Sequence, residues 1–171
     1  FDMEVFDVEK VSTHGGSMRV FVCKKGAYKK SSNVDKMLEY EKKSGFYDVK
    51  TFEKFGEDIK NLKKDAVKFI KDLRSSGKRI IGYGAPAKGN TILGFFGFGP
   101  DDIEYITDNT PAKIGLLTPG THIPVVANDI LKTDTPDYAL LLIWNYKDAV
   151  LKREEDLRKR GTKFIVLLPT I

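Results

Sequence analysis

Apolar and polar positions fall into two grammars along this chain. Over residues 2–11 and 17–24, β-branched and aromatic side chains recur in loose alternation, with Thr13-His14-Gly15-Gly16 between the two runs. That predicts a β-hairpin. Residues 24–30 form a basic, Gly-containing loop, Ser32 or Asn33 caps a short helix reaching about Lys43, and Gly45 ends it. From residue 49 to 75, Phe52, Phe55, Ile59, Leu62, Ala66, Phe69 and Leu73 are spaced three and four apart. The period of about 3.5 predicts one long helix with a narrow apolar seam facing the core and lysines on its solvated faces.

After Gly77 the pattern changes. Apolar runs at 79–83, 103–107, 138–144 and 163–168 alternate with helix-like segments at 87–96, 128–132 and 146–160, and 123–126 adds a short strand. Runs with so little polar alternation suit strands buried on both faces, and strand and helix in turn imply a parallel sheet. The predicted fold is therefore α/β: a Rossmann-like parallel sheet flanked by helices (residues 77–171), preceded by a β-hairpin and long-helix arm (residues 1–76).

Composition narrows the functional classes. The chain has 171 residues, 41% of them hydrophobic, and a net charge of +5 from 29 basic and 24 acidic side chains. This builds one core, with at most a small appendage, and a mild bias toward anionic ligands. Nucleic acid is not an expected partner, because few aromatics sit among the exposed lysines to stack bases. The single cysteine, Cys23, excludes a disulfide framework and a cysteine-cluster metal site and fits a reducing compartment. No apolar run is long enough to cross a bilayer as a helix, and residues 1–20 lack the apolar core of a signal peptide. A cytoplasmic location, with no membrane and no metal, is the expectation. The chain opens at Phe1 rather than Met, and a piece of a longer protein is expected.

The densest chemistry lies at the first strand of the second grammar. Gly82-Tyr83-Gly84-Ala85-Pro86-Ala87 fits G-x-G-x-x-A, in which glycines permit a tight turn and close backbone approach to a ligand. Amides at the helix start favour an anion. Pro86 fits as the first helical residue and removes one donor. Lys88, in the first turn, opposes the helix dipole, which makes better sense with an anion bound. Asp108 ends the next strand, 26 residues past Gly82, where an acid commonly accepts from ribose hydroxyls. An Asx turn before Pro111 is the competing reading. The loop 110–122, with Lys113, Gly115, Pro119 and Gly120, projects over the strands' carboxyl ends. His14 and His122 sit in turns without a neighbouring acid or nucleophile, and His122 reads as a loop residue with no role in catalysis. Two further readings stay open at this point: an NAD-type dinucleotide-binding domain of an oxidoreductase or redox sensor, and an interaction module whose seam helix pairs with a partner.

Four phrases, read together, resemble a family. THGGSMRVFV (13–22), GYGAPAKGNTIL (82–93), TDNTPAKIGLLTPGTHIPV (107–125) and IWNYKD (143–148) are similar to the C-terminal domain of S-adenosylmethionine-dependent sugar C-methyltransferases. The resemblance spans essentially the whole chain in order. It implies a longer enzyme with a zinc-binding N-terminal part, a methyltransferase domain holding S-adenosylmethionine, and this part, which helps hold a nucleoside-diphosphate sugar. It also implies methylation of a carbon, typically C3 of a keto-deoxysugar, through an enolate. A catalytic Tyr/Glu/His segment then precedes the position corresponding to Phe1, so this chain by itself binds no cofactor, carries no confident catalytic residue and is expected to be inactive. On matching positions, the resemblance nominates Gly82, Gly84, Ala85, Lys88, Asn90, Asp108 and Lys113 for substrate binding. It places His14, a possible catalytic group, and Arg19 at the junction with the upstream methyltransferase domain. Leu116-Leu117 depart from the family's usual wording, which has a more polar pair there.

Overall fold

A computed structural model describes residues 1–168. The chain divides into two compact units, Phe1–Ile59 and Lys60–Ile171; residues 169–171, the end of the expected 77–171 body, lie outside the described residues.

In the first unit, β1 (Met3–Val11) pairs antiparallel with β2 (Ser17–Lys24), with Glu9 opposite Arg19 and an irregularity between Val5 and Asp7. The Thr13–Gly15 turn joins them, with His14 at φ 57° and Gly16 at φ 128°. Helix α1 (Ser32–Lys43) starts one or two residues earlier than the expected cap at Ser32 or Asn33 implies. Ser31 is its N-cap, its hydroxyl accepting from the Asn33 amide. The cap is fastened to the hairpin, because the Asp7 carboxylate accepts from both the Ser31 hydroxyl and the Asn33 side chain.

Helix α2 (Val49–Ser75) is the predicted seam helix, but the seam is core-facing only over its later turns. Ala66 and Ile70 are fully buried, whereas Phe52, Phe55 and Phe69 are exposed. Ile70, not Phe69, takes the inward place, since a straight helix at 3.6 residues per turn drifts off a 3.5 repeat.

The second unit carries a five-stranded, wholly parallel sheet of order β5-β4-β3-β6-β7. Its strands are β3 (Ile80–Tyr83), β4 (Ile106–Asp108), β5 (Val125–Ala127), β6 (Tyr138–Leu141) and β7 (Lys163–Ile165). All are shorter than their apolar runs, because burial extends past the ladder: Ile103 and Leu142 are buried without being strand residues. One face of the sheet packs against α3 (Ala87–Phe96) and the later turns of α2, through Ile70, Ile80, Leu93, Phe96 and Leu140. The other packs against the 3-10 turn Asn128–Lys132 and helices α4 (Lys147–Arg153) and α5 (Glu155–Lys159), through Ile81, Tyr83, Leu131, Val150 and Leu157. The single helix expected over 146–160 breaks at Glu154, whose side chain accepts a hydrogen bond from the buried Tyr83 hydroxyl. Burial and that carboxylate push the Tyr83 phenol up to about 12.

This order has one consequence for function. From β3 the chain moves outward through β4 to β5, then returns to β6 on β3's other side. Connections leaving β3 and β6 diverge and leave a crevice at the carboxyl ends of those strands, the place where open α/β sheets take their ligands.

Candidate functional site

The glycine turn lies at that crevice, and most of its features are used by the protein itself. A Cβ on Gly82 meets Ile106 Cγ1 at 2.7 Å, and one on Gly84 meets Ile143 Cγ2 at 2.8 Å. Gly84 also has φ +83°, a backbone conformation that side chains disfavour. The amide of Gly84 donates to Thr107 O at 2.8 Å, and that of Ala85 to Asp108 Oδ2 at 2.7 Å. Pro86 is the N-cap rather than the first helical residue: at ψ 161° it is extended, and Ala87 begins the helix. Among the described residues, the turn keeps the amides of Ala87 and Lys88 as donors for a guest.

The Asx turn read at Asp108 is present, and the same carboxylate also holds the glycine turn. Its Oδ1 accepts from the Thr110 amide at 2.8 Å, an Asx turn, while Oδ2 clasps the glycine turn. Burial raises its pKa, but the contacts with Thr110 and Ala85 and the Lys113 ammonium outweigh this, and the carboxyl sits below its ordinary value. Lys113 completes the clasp, donating to Ala85 O at 2.8 Å with its ammonium 3.6 Å from Asp108 Oδ2.

Lys88 reaches the other way, across to the residues that follow β6. Its Nζ lies 4.4 Å from the centre of the Trp144 ring and donates to Asn145 Oδ1. An ammonium only donates, so this bond fixes which way the Asn145 amide faces. Asn145 Nδ2 is thereby left as a buried donor without a hydrogen-bond partner among the described residues. Such a group costs about 1–3 kcal/mol until an acceptor reaches it. Cation and unpaired donor together favour an anion.

On the α3 side of the turn, a cleft of about 320 Å³ is lined by Ala85, Asn90, Lys113, Leu116, Leu117 and Pro119, among others. Of the nominated residues, Ala85, Lys88, Asn90, Asp108 and Lys113 thus gather around one turn, with Gly82 and Gly84 shaping it. His14 and Arg19 belong to the first unit: His14 is exposed in the hairpin turn, and Arg19 pairs across the strands with Glu9. Trp144 and Asn145 were not nominated, although they stand in the IWNYKD phrase. Their signal was positional, at the carboxyl end of the strand that a parallel sheet sets beside the glycine strand.

The phrases and the turn they build agree with comparison to known proteins. The family of C-methyltransferase C-terminal domains matches residues 12–169. This chain belongs to that family. It is also 32% identical over 168 residues to the C-methyltransferase NovU of Streptomyces niveus, covering 98% of this chain and 40% of that relative. As a C-methyltransferase C-terminal domain, the chain thus spans well under half the length of the relative it matches. The dinucleotide-binding oxidoreductase reading has no support from these likenesses. No helix among the described residues is long and apolar enough to cross a membrane.

Proposed function

We propose that this chain is the substrate-holding domain of an S-adenosylmethionine-dependent C-methyltransferase that acts on a keto-deoxysugar carried by a nucleoside diphosphate. The observation that carries the reading is the Lys88–Trp144–Asn145 group at the crevice between β3 and β6. An anchored ammonium and an unpaired amide donor there suit a diphosphate. Lys113 adds a second cation at the other edge of the turn.

The domain's share in catalysis is positional. Holding the nucleotide end of the substrate fixes the sugar against the reacting groups, so remote binding energy is spent on orientation. S-adenosylmethionine supplies the methyl group in the parent enzyme. In this reading the donor's site, the base that forms the enolate and the upstream methyltransferase domain that carries them belong to the remainder of the enzyme, with the nucleoside-diphosphate sugar as the shared ligand.

Titration calorimetry with dTDP, UDP and GDP tests this. Binding at millimolar ligand or below is expected, weakened at least about tenfold by Lys88→Ala, a loss of about 1.4 kcal/mol. Absence of heat with all three at millimolar concentration, or unchanged affinity in the variant, overturns the reading.

A further inference from the structure

We propose that the aromatic face presented by the start of α2 and the turn before it seats the upstream methyltransferase domain of the same polypeptide. This rests on the reading above and adds the surface through which the substrate-holding domain meets the part that carries the donor.

The apolar stripe of α2 carries the argument. Its later positions, Ala66 and Ile70, are buried in the core of the sheet. Ahead of them, Val49, Phe52 and Phe55 are 70%, 56% and 63% exposed. Phe46 and Tyr47, in the turn that leads into the helix, are exposed as well. Phe and Tyr are enriched at the cores of protein interfaces, and an apolar patch left open on a folded surface marks a place of contact.

The turn that presents these rings is tied in place. Gly45 takes φ +76°, and the Phe46 amide donates to Glu41 O at 3.1 Å. Asp48 then opens α2, its Oδ1 accepting from the Lys50 amide at 3.0 Å and its carbonyl from the Thr51 amide at 3.1 Å. The Tyr47 hydroxyl donates to Glu41 Oε2 at 3.3 Å. Rings on a fixed frame lose little freedom when a partner covers them, so the face is preorganised for docking.

The occupant follows from the length of polypeptide that lies outside this chain. NovU is matched over 40% of its length, and in a family of C-terminal domains the rest of a member precedes the matched segment. The family match opens at residue 12, between β1 and β2, so β1 lies ahead of it. The unit Phe1–Ile59 therefore holds the passage from the preceding part into this domain, and the aromatic face belongs to that unit. A second copy of the chain fits less well. Pairing of two such helices needs an apolar stripe sustained over about three or four heptads. Here the exposed part, residues 49–55, is a single heptad before the stripe turns into the chain's own core.

Hydroxyl-radical footprinting of this chain and of the longer enzyme tests the surface, because it reads the exposure of each ring. Phe46, Tyr47, Phe52 and Phe55 are expected to react readily in this chain and at least about fivefold more slowly in the longer enzyme. Phe52→Glu is expected to leave the melting temperature of this chain unchanged, since Phe52 is exposed in it. In the longer enzyme the same variant is expected to lower kcat/KM at least about tenfold at unchanged nucleotide affinity, because the sugar is no longer held against the donor. Equal reactivity of the rings in both proteins, or full activity of the Phe52→Glu enzyme, overturns the proposal while nucleotide binding stands. So does a dimer of this chain that Phe52→Glu dissociates in sedimentation, or protection of the rings by anionic lipid vesicles. Protected rings in an enzyme that binds no nucleoside diphosphate support the surface and overturn the reading of the crevice instead.

Discussion

Gly84 and Gly94 lie ten residues apart and make opposite predictions. At Gly84, a methyl group meets Ile143 at 2.8 Å on a backbone with φ +83°, so Gly84→Ala is expected to cost about 1–3 kcal/mol. Gly94 lies inside α3 with nothing within 4 Å of its added Cβ, and Gly94→Ala is expected to raise stability by up to about 1 kcal/mol through helix propensity. Urea denaturation of the two variants checks both; equal effects would show that the turn tolerates a side chain. The glycine phrase was legible in the sequence as a turn. What the glycines are pressed against was not, because Ile106 comes from β4 and Ile143 from the segment after β6, both distant in sequence.

Among the elements, α2 separates periodicity from burial. Its seam reads the same from Phe52 to Leu73, but only the later turns meet the sheet. Ile70→Ala is therefore expected to cost about 2–5 kcal/mol, and Phe55→Ser under about 0.5 kcal/mol, by thermal or chemical melts. Comparable losses would place Phe55 in a core. The strands were legible in type and order but not in length. The run 138–144 is apolar throughout, yet the chain leaves the sheet after Leu141 so that Trp144 and Asn145 reach the crevice. The helix break at Glu154 had no glycine or proline to announce it. The Tyr83 hydroxyl that bonds the Glu154 side chain at the break lies 71 residues away in sequence.

At the scale of the whole molecule, the amino ends of β3, β4 and β6 are tied by charge. Arg79 makes paired bonds to Asp134 at 2.6 and 2.9 Å and one to Glu104 at 3.0 Å, and Asp137 accepts from the Arg79 amide at 2.9 Å. Arg79 holds the Asp134 carboxyl down at about 2, and the Arg79 amide and Lys78 hold Asp137 below its ordinary value. Both groups are lowered on folding from an ordinary value of 3.8, so their contribution is complete only above about pH 5 and is lost as pH falls toward 2. The melting temperature is expected to drop more steeply over that interval in the natural chain than in Asp134→Asn, by about 5 °C. Melts followed by the fluorescence of Trp144, the single tryptophan, measure it; parallel pH curves would remove the clamp from the stability account. Nothing in the order of residues announces this clamp, since its members are scattered across loops that only the parallel sheet assembles.

The clasp of Asp108 and Lys113 on Ala85 also has a kinetic meaning. A turn already locked into shape needs no opening step before it receives a visitor, so capture is a single collision. Mixed rapidly with nucleotide, the Trp144 emission should relax as one exponential. Its rate should climb in proportion to ligand concentration, without reaching a ceiling.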